Sequence, residues 1–434
     1  MRGREAAAGL VGWLLAAGAL LMPGLPGGAE AQGRSVDLTI QFFEARVARD
    51  PGDSLNYAKL GAAYIQKARE TGDVSYHERA ETALKKALEL GSDPRTATTA
   101  ATHLAQVYAA KHQFQDALAQ ARKALAYGTG QVFPNAIIGD AYLELGDYDQ
   151  ASAAYSMLRV LTGPAYPHSR LAHLHFLKGD SASAIKEMER GVQALAAAHG
   201  AGENLAWTQA RLGELFFQVG NLERAARAYL ASAVSHPGYH RAQAGLARVR
   251  AAQARYPEAI ELYRHALAVI PLSEYAAGLG DVYAKTGRGD EARKQYDLVE
   301  YIGLVSTLNK VIYNRELALF YADHDVKLPR ALELAEQELE VRRDIYTYDV
   351  LAWALYKNGR IRDSVAPMTE ALKLGTNDAR LFFHAGLIYQ ALGDAGRARG
   401  YLDRALTTNR HFHILQADVA ARTLKDLGGP LSQP

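Results

Sequence analysis

The stretch Arg211-Leu212-Gly213-Glu214-Leu215-Phe216, followed by Ala225, Tyr229 and Pro237, decides the fold. Gly213 is a small residue between large apolar ones. Twelve residues on comes Ala225, four further Tyr229 and three further Ser232, offsets that follow helical periodicity. Val219-Gly220-Asn221 breaks the pattern between two helices, and Pro237 closes the second, where a missing amide donor does least harm. Two antiparallel helices approach closely only where neither projects a long side chain, so Gly213 and Ala225 predict a tight pair with Tyr229 filling the adjoining hole.

Working outward, the small residue returns at Gly61, Ala105, Gly139, Ala172, Gly213, Ala247, Gly280, Ala318, Ala352 and Gly386, at intervals of 44, 34, 33, 41, 34, 33, 38, 34 and 34. A period near 34 with a few insertions marks an internal repeat. The second small residue recurs with it, at Ala117, Ala151, Ala184, Ala225, Ala259, Ala292, Ser364 and Ala398, and the larger one at Tyr155, Tyr229, Tyr263 and Tyr296.

These residues resemble the tetratricopeptide repeat family over about ten units, from near Ser54 to Arg410. The resemblance implies an all-α, right-handed superhelical solenoid of helix-turn-helix units. The expected organisation is a leader over residues 1–31, an N-terminal segment and cap over 32–53, the solenoid over 54–410, and a capping helix and tail over 411–434. Amphipathic helices are expected at both ends, near 36–49 and 412–427, because a solenoid must close its terminal apolar faces. Irregularities are expected as a long loop at 68–76, an insertion at 196–203 and a helix extension with a loop over 301–311. Pro367 falls inside an expected second helix, at a cost of about 3 kcal/mol unless the helix kinks.

The first 31 residues read as a secretory signal. Arg2 and Arg4 precede an apolar run that Pro23 stops, and Ala29-Glu30-Ala31 supplies the small-x-small pattern, so cleavage is expected after Ala31 and the mature chain is expected to be secreted or periplasmic. No later run reaches the roughly 20 apolar residues of a membrane helix, so no integral span is expected in the mature chain. With 49 Lys and Arg against 47 Asp and Glu, the net charge is +2, which indicates no pervasive polyanion-binding surface and no nucleic-acid partner. The absence of cysteine excludes disulfides, thiolate metal sites and cysteine nucleophiles.

No catalytic motif is present. Gly278-Leu279-Gly280 opens like a dinucleotide fingerprint but lies within a helical repeat, not after a strand. Fourteen histidines raise the question of metal, chiefly His168, His173, His175, His411 and His413, yet residues two apart on a helix point in different directions, and no ligand spacing is diagnostic. Neither an enzyme nor a cofactor or metal protein is expected.

By the resemblance, first helices line a concave groove for a peptide or a partner's surface. Carried over unit by unit, the groove candidates are Phe133 with Asp140 and Glu144; Tyr166, His173 and Phe176; Trp207, Glu214 and Phe217; Arg241 and Arg248; Asp281 and Lys285; and Tyr346, Trp353, Tyr356 and Phe383. Trp207 and Trp353 are the sharpest, since aromatics and arginines are the residue types most often energetic at interfaces. Ala58 and Ala62 stand where the subfamily that grips a chaperone's terminal carboxylates carries polar residues, so that ligand is not expected. Acidic character near Glu214 and Asp281 and basic character near Arg241 and Arg248 suggest a charge-patterned protein partner. The expectation is thus a non-enzymatic, extracytoplasmic scaffold; its alternatives are an accessory to polysaccharide or envelope assembly and a histidine-dependent metal-trafficking accessory.

Overall fold

The computed structural model describes residues 36–91, 93–128, 132–162, 168–199, 202–308 and 314–429. The expected leader and Tyr166 lie outside them. The described residues form 22 α-helices and divide into two compact units.

The first unit contains α1 (Val36–Arg49), α2 (Ser54–Thr71), α3 (Ser75–Glu89), α4 (Pro94–Ala110), α5 (Phe114–Ala126), α6 (Val132–Glu144) and α7 (Tyr148–Thr162). The second contains α8 (His168–Leu177), α9 (Ser181–His199), α10 (Glu203–Gln218), α11 (Leu222–Ser235), α12 (His240–Ala252), α13 (Tyr256–Val269) and α14 (Ser273–Lys285). It continues through most of α15 (Gly289–Leu308) into α16 (Asn314–Asp323), α17 (Leu328–Val341), α18 (Ile345–Lys357), α19 (Val365–Leu372), α20 (Ala379–Ala391), α21 (Ala395–Asn409) and α22 (Gln416–Asp426).

Within each unit, consecutive helices pack as antiparallel pairs, and the sequence period explains how. Ala105, Ala172, Ala247, Ala318 and Ala352 are fully buried on first helices, and Ala117, Ala151, Ala184, Ala225, Ala259 and Ala398 on second helices, with Ser364 equally buried just before α19. Seven residues after most of the first small residues the chain turns through positive φ: Gly146, Gly179, Gly220, Gly287, Gly359 and Gly393 take φ between 74° and 81°. Three turns do this without glycine, at His112 (φ 59°), Ala254 (57°) and Asp325 (54°), and so carry strain that a Cβ brings to the left-handed region.

A recurrent module joins the two helices of a pair. An added Cβ on Gly139, Gly213 or Gly280 would stand 2.3, 2.8 or 2.4 Å from the ring of Tyr155, Tyr229 or Tyr296, so each ring lies in the notch its glycine leaves. The next residue is acidic in all three, and the same tyrosine's hydroxyl donates to it: Tyr155 to Asp140 at 2.8 Å, Tyr229 to Glu214 at 3.4 Å and Tyr296 to Asp281 at 2.9 Å. The ring supplies buried area, and the carboxylate satisfies the hydroxyl that came with it.

Several irregularities are shorter or more helical than the sequence suggests. The loop expected at 68–76 contracts to three residues, because α2 runs on to Thr71 and ends on left-handed Gly72. Much of the 196–203 insertion is a continuation of α9. Pro367 costs little, because α19 begins only at Val365; the proline lies in its first turn, where amides have no intrahelical acceptor.

The second unit closes on itself. The Thr376 hydroxyl, before α20, donates to the Leu177 carbonyl at the end of α8, and the Asn409 amide donates to the Phe217 carbonyl at 2.7 Å. Gly179 approaches Gly375 so closely that a Cβ on it would lie 2.5 Å from the Gly375 carbonyl oxygen. The early pairs of this unit thus meet its late pairs, and the first helices face a common interior.

Candidate functional site: the inner face of the second unit

Three first helices present one stripe each to that interior, at the i, i+4, i+7 spacing of a helix face. On α10 it is Trp207, Arg211, Glu214 and Gln218; on α12 Arg241, Gly245 and Arg248; on α14 Glu274, Gly278, Asp281 and Lys285. Trp207 is half-buried against the surrounding core cluster.

Glu214 and Arg248 form an ion pair between α10 and α12. The Arg248 guanidinium lies 4.1 Å above the Phe217 ring centre and also reaches the Tyr229 hydroxyl at 3.3 Å. Burial alone would push the Glu214 carboxyl up, but Arg248 and Arg211 hold it below the ordinary range. The acidic and basic patches expected around these residues therefore neutralise each other. Arg211 is different. It forms no hydrogen bond or ion pair among the described residues, and burial, with the neighbouring Arg241 guanidinium, lowers its pKa against the opposing pull of Glu214. Burial likewise raises Glu274 well above the carboxylate range despite Arg241 and Arg248, and one of its carboxyl oxygens is enclosed without a partner. On α8, His173 is pushed down to about 3 by burial and by Arg211, which makes it a neutral imidazole.

Toward the later helices the same face becomes core. Trp353 of α18 is 2% exposed, donates its indole N–H to Asp323 at 2.8 Å, and is stacked between Tyr356 and His384 at 4.9 and 4.2 Å. His384 is itself fully buried, with Nδ1 2.8 Å from Asp349. Asp281 is held by Tyr296, by His324 Nε2 at 2.8 Å and by His413 Nε2 at 3.3 Å. Both nitrogens of His324 face acceptors, the other being the Phe320 carbonyl at 2.8 Å, which requires the imidazolium. Burial opposes that charge, but Asp281 and the carbonyl outweigh it and raise the His324 pKa.

These placements correct part of the expected groove. Phe176, Phe217, Trp353 and Phe383 are buried and present no surface to a partner; each packs against neighbouring helices. Tyr356 is stacked on Trp353, Lys285 is paired with Asp418 of α22, and the Tyr346 hydroxyl donates to Asp378 at 3.3 Å. Phe133 is half-buried on α6 of the first unit. Trp207, Glu214, Arg241 and Arg248 remain together on α10 and α12, joined by Arg211 and Glu274, which the resemblance did not nominate. The signal for both was available in their i+4 and i−7 spacing from Trp207 and Asp281. Of the histidines, His168 is 2.8 Å from Glu187, and His175 lies 3.9 Å from Asp180. No group of three or more metal-ligating side chains that could hold an ion occurs among the described residues.

Comparison with known families agrees with this architecture. The tetratricopeptide repeat-like domain family matches residues 40–159, and the tetratricopeptide repeat family matches 210–277 and 350–411. The chain belongs to the tetratricopeptide repeat family, a family of protein-interaction scaffolds. No curated protein matches the sequence. Among solved structures, it is similar to yeast Tom70 at 12% identity, covering 91% of this chain and 93% of that one with a TM-score of 0.38. A tetratricopeptide repeat protein from Parabacteroides merdae gives 16% identity, 61% and 99% coverage and a TM-score of 0.35. A chain of the APC/C hetero-tetramer Cut9-Hcn1 gives 15%, 90% and 93%, and 0.34. No helix among the described residues is long and apolar enough to cross a membrane.

Proposed function

We propose that the chain is a non-enzymatic scaffold acting outside the cytoplasm, which binds a charge-patterned segment of a partner protein on the inner face of α10, α12 and α14. The observation that carries this reading is Arg211: a half-buried guanidinium beside that of Arg241, with no hydrogen bond or ion pair among the described residues and only Glu214, already paired with Arg248, to balance it, one helical turn from the half-buried Trp207. Such a cation gains more from a partner's carboxylate than a solvated one does, and the adjacent ring supplies the apolar contact that interfaces use as an anchor. The paired Glu214 and Arg248 then act as a fixed polar wall that rejects unpartnered charge. The extracytoplasmic location rests on the leader pattern of residues 1–31.

The test is capture of partner proteins from a native envelope extract on the immobilised chain, with Trp207→Ala/Arg211→Gln alongside. Arg211 makes no hydrogen bond or ion pair among the described residues and Trp207 is only half-buried, so the variant should keep its fold at some cost in stability, which circular dichroism checks. One protein retained by the wild type, released by added salt and lost by the variant supports the reading. Retention that ignores the variant contradicts it. For location, the mature protein should begin at Gln32 by N-terminal sequencing; a chain that retains Met1 in the cell contradicts secretion.

A further inference from the structure

Residues 412–426 do more than cover the α20–α21 pair. A helix that only closed the last pair would touch α20 and α21. α22 buries Ala420 and Leu424 in the core cluster of these pairs, but its lead-in and first turn also reach across the inner face to earlier repeats. His413 meets Asp281 of α14 at 3.3 Å, Gln416 donates to Asp323 of α16 at 2.7 Å, and Asp418 pairs with Lys285 of α14. Phe412 lies 5.4 Å, ring centre to ring centre, from Phe383 of α20. One short segment thus bridges first helices from three different repeats, on the side of the unit where such helices expose their stripes.

We propose that residues 412–426 are a detachable, built-in occupant of this inner face, so that the Asp281–Lys285 end of α14, with α16 and α20, becomes available to a partner segment only when the occupant leaves. The proposal rests on the reading that the inner face is the binding surface. Three features suit the segment to leave. α22 has 11 residues, below the length at which a helix is stable in isolation, so it is held by its docking contacts. Its reach to α14 and α16 is polar, and Asp418 is 57% exposed, so water can replace its pairing with Lys285 at little cost. His413 Nδ1 accepts from the amides of Leu415 and Gln416 at 3.2 and 3.4 Å, so one side chain both starts the helix and docks it, and the two are released together.

Hydrogen exchange on the full chain tests this without any partner. Gln416→Ala/Asp418→Ala removes the contacts to Asp323 and Lys285 and leaves Ala420 and Leu424 in place. We expect amides of α22 to exchange about tenfold faster while those of α20 and α21 keep their wild-type rates. A labelled peptide of residues 410–427 should then bind the variant and be excluded from the wild type. Unchanged exchange in α22, acceleration shared equally with α20 and α21, or a peptide that binds neither chain would overturn the proposal, the second by showing that α22 is an inseparable part of the fold. Failure to capture a partner on α10 and α12 would count against the proposed function and leave these measurements unaffected.

Discussion

The residue after the small one on each first helix is Glu214, Arg248 and Asp281 in α10, α12 and α14, but Leu319, Trp353 and Leu387 in α16, α18 and α20. The backbone geometry is shared; the use of the position is not. In the first group it carries paired charges beside the half-buried Arg211, whereas in the second it joins the core, Trp353 with Tyr356, Phe383 and His384 and the two leucines in the same cluster. A repeat therefore fixes where a side chain points, while what stands opposite decides whether it is surface or core. Here the opposite side of the later helices is supplied by the C-terminal segment, through Phe412 and Gln416.

The largest effect that would break this contrast is on stability. Trp353→Ala empties a closed site and is expected to cost about 3–5 kcal/mol in denaturant unfolding, with Trp207→Ala costing clearly less; equal losses would erase the distinction. Gly245 tests the packing beneath the first group. A Cβ there would lie 2.2 Å from the Tyr229 ring, so Gly245→Ala should overpack the α11–α12 contact by about 1–3 kcal/mol.

Next comes pH. The His324 pKa is raised in the folded state, so its pairing with Asp281 contributes stability that is fully present below the unfolded value of about 6.5 and is lost as pH rises through the folded value. The melting temperature should fall across that window, and His324→Gln should flatten the fall. A smaller gain is expected at the strained turn: Ala254→Gly relieves a φ of 57° and should stabilise by about 1 kcal/mol. The smallest is Arg211→Gln, expected within about 0.5 kcal/mol of wild type because this half-buried side chain loses no hydrogen bond or ion pair and Glu214 keeps Arg248.

Much of this was legible from the period alone. The small residues of both helices, the Tyr229 and Tyr296 wedges and the turns after Leu145 and Val219 all sit where the 34-residue phrase puts them, because they depend on nearest neighbours. Contacts between distant repeats were not legible. Thr376 meets Leu177 across 199 residues and Asn409 meets Phe217 across 192, and no local pattern encodes how far successive pairs curve before they meet. The burial of Trp353 was hidden for the same reason. Its exposure depends on Asp323, His384 and Gln416, of which only the segment's amphipathic character could be read in advance.

The most direct test of the central claim is acrylamide quenching of the two tryptophans in chains that begin at Gln32, using Trp207→Phe to isolate Trp353 and Trp353→Phe to isolate Trp207. Trp353 should emit to the blue and be quenched several-fold less than Trp207. Equal quenching, or a more accessible Trp353, would mean that the later first helices keep an open groove and that the division of this face into surface and core is wrong.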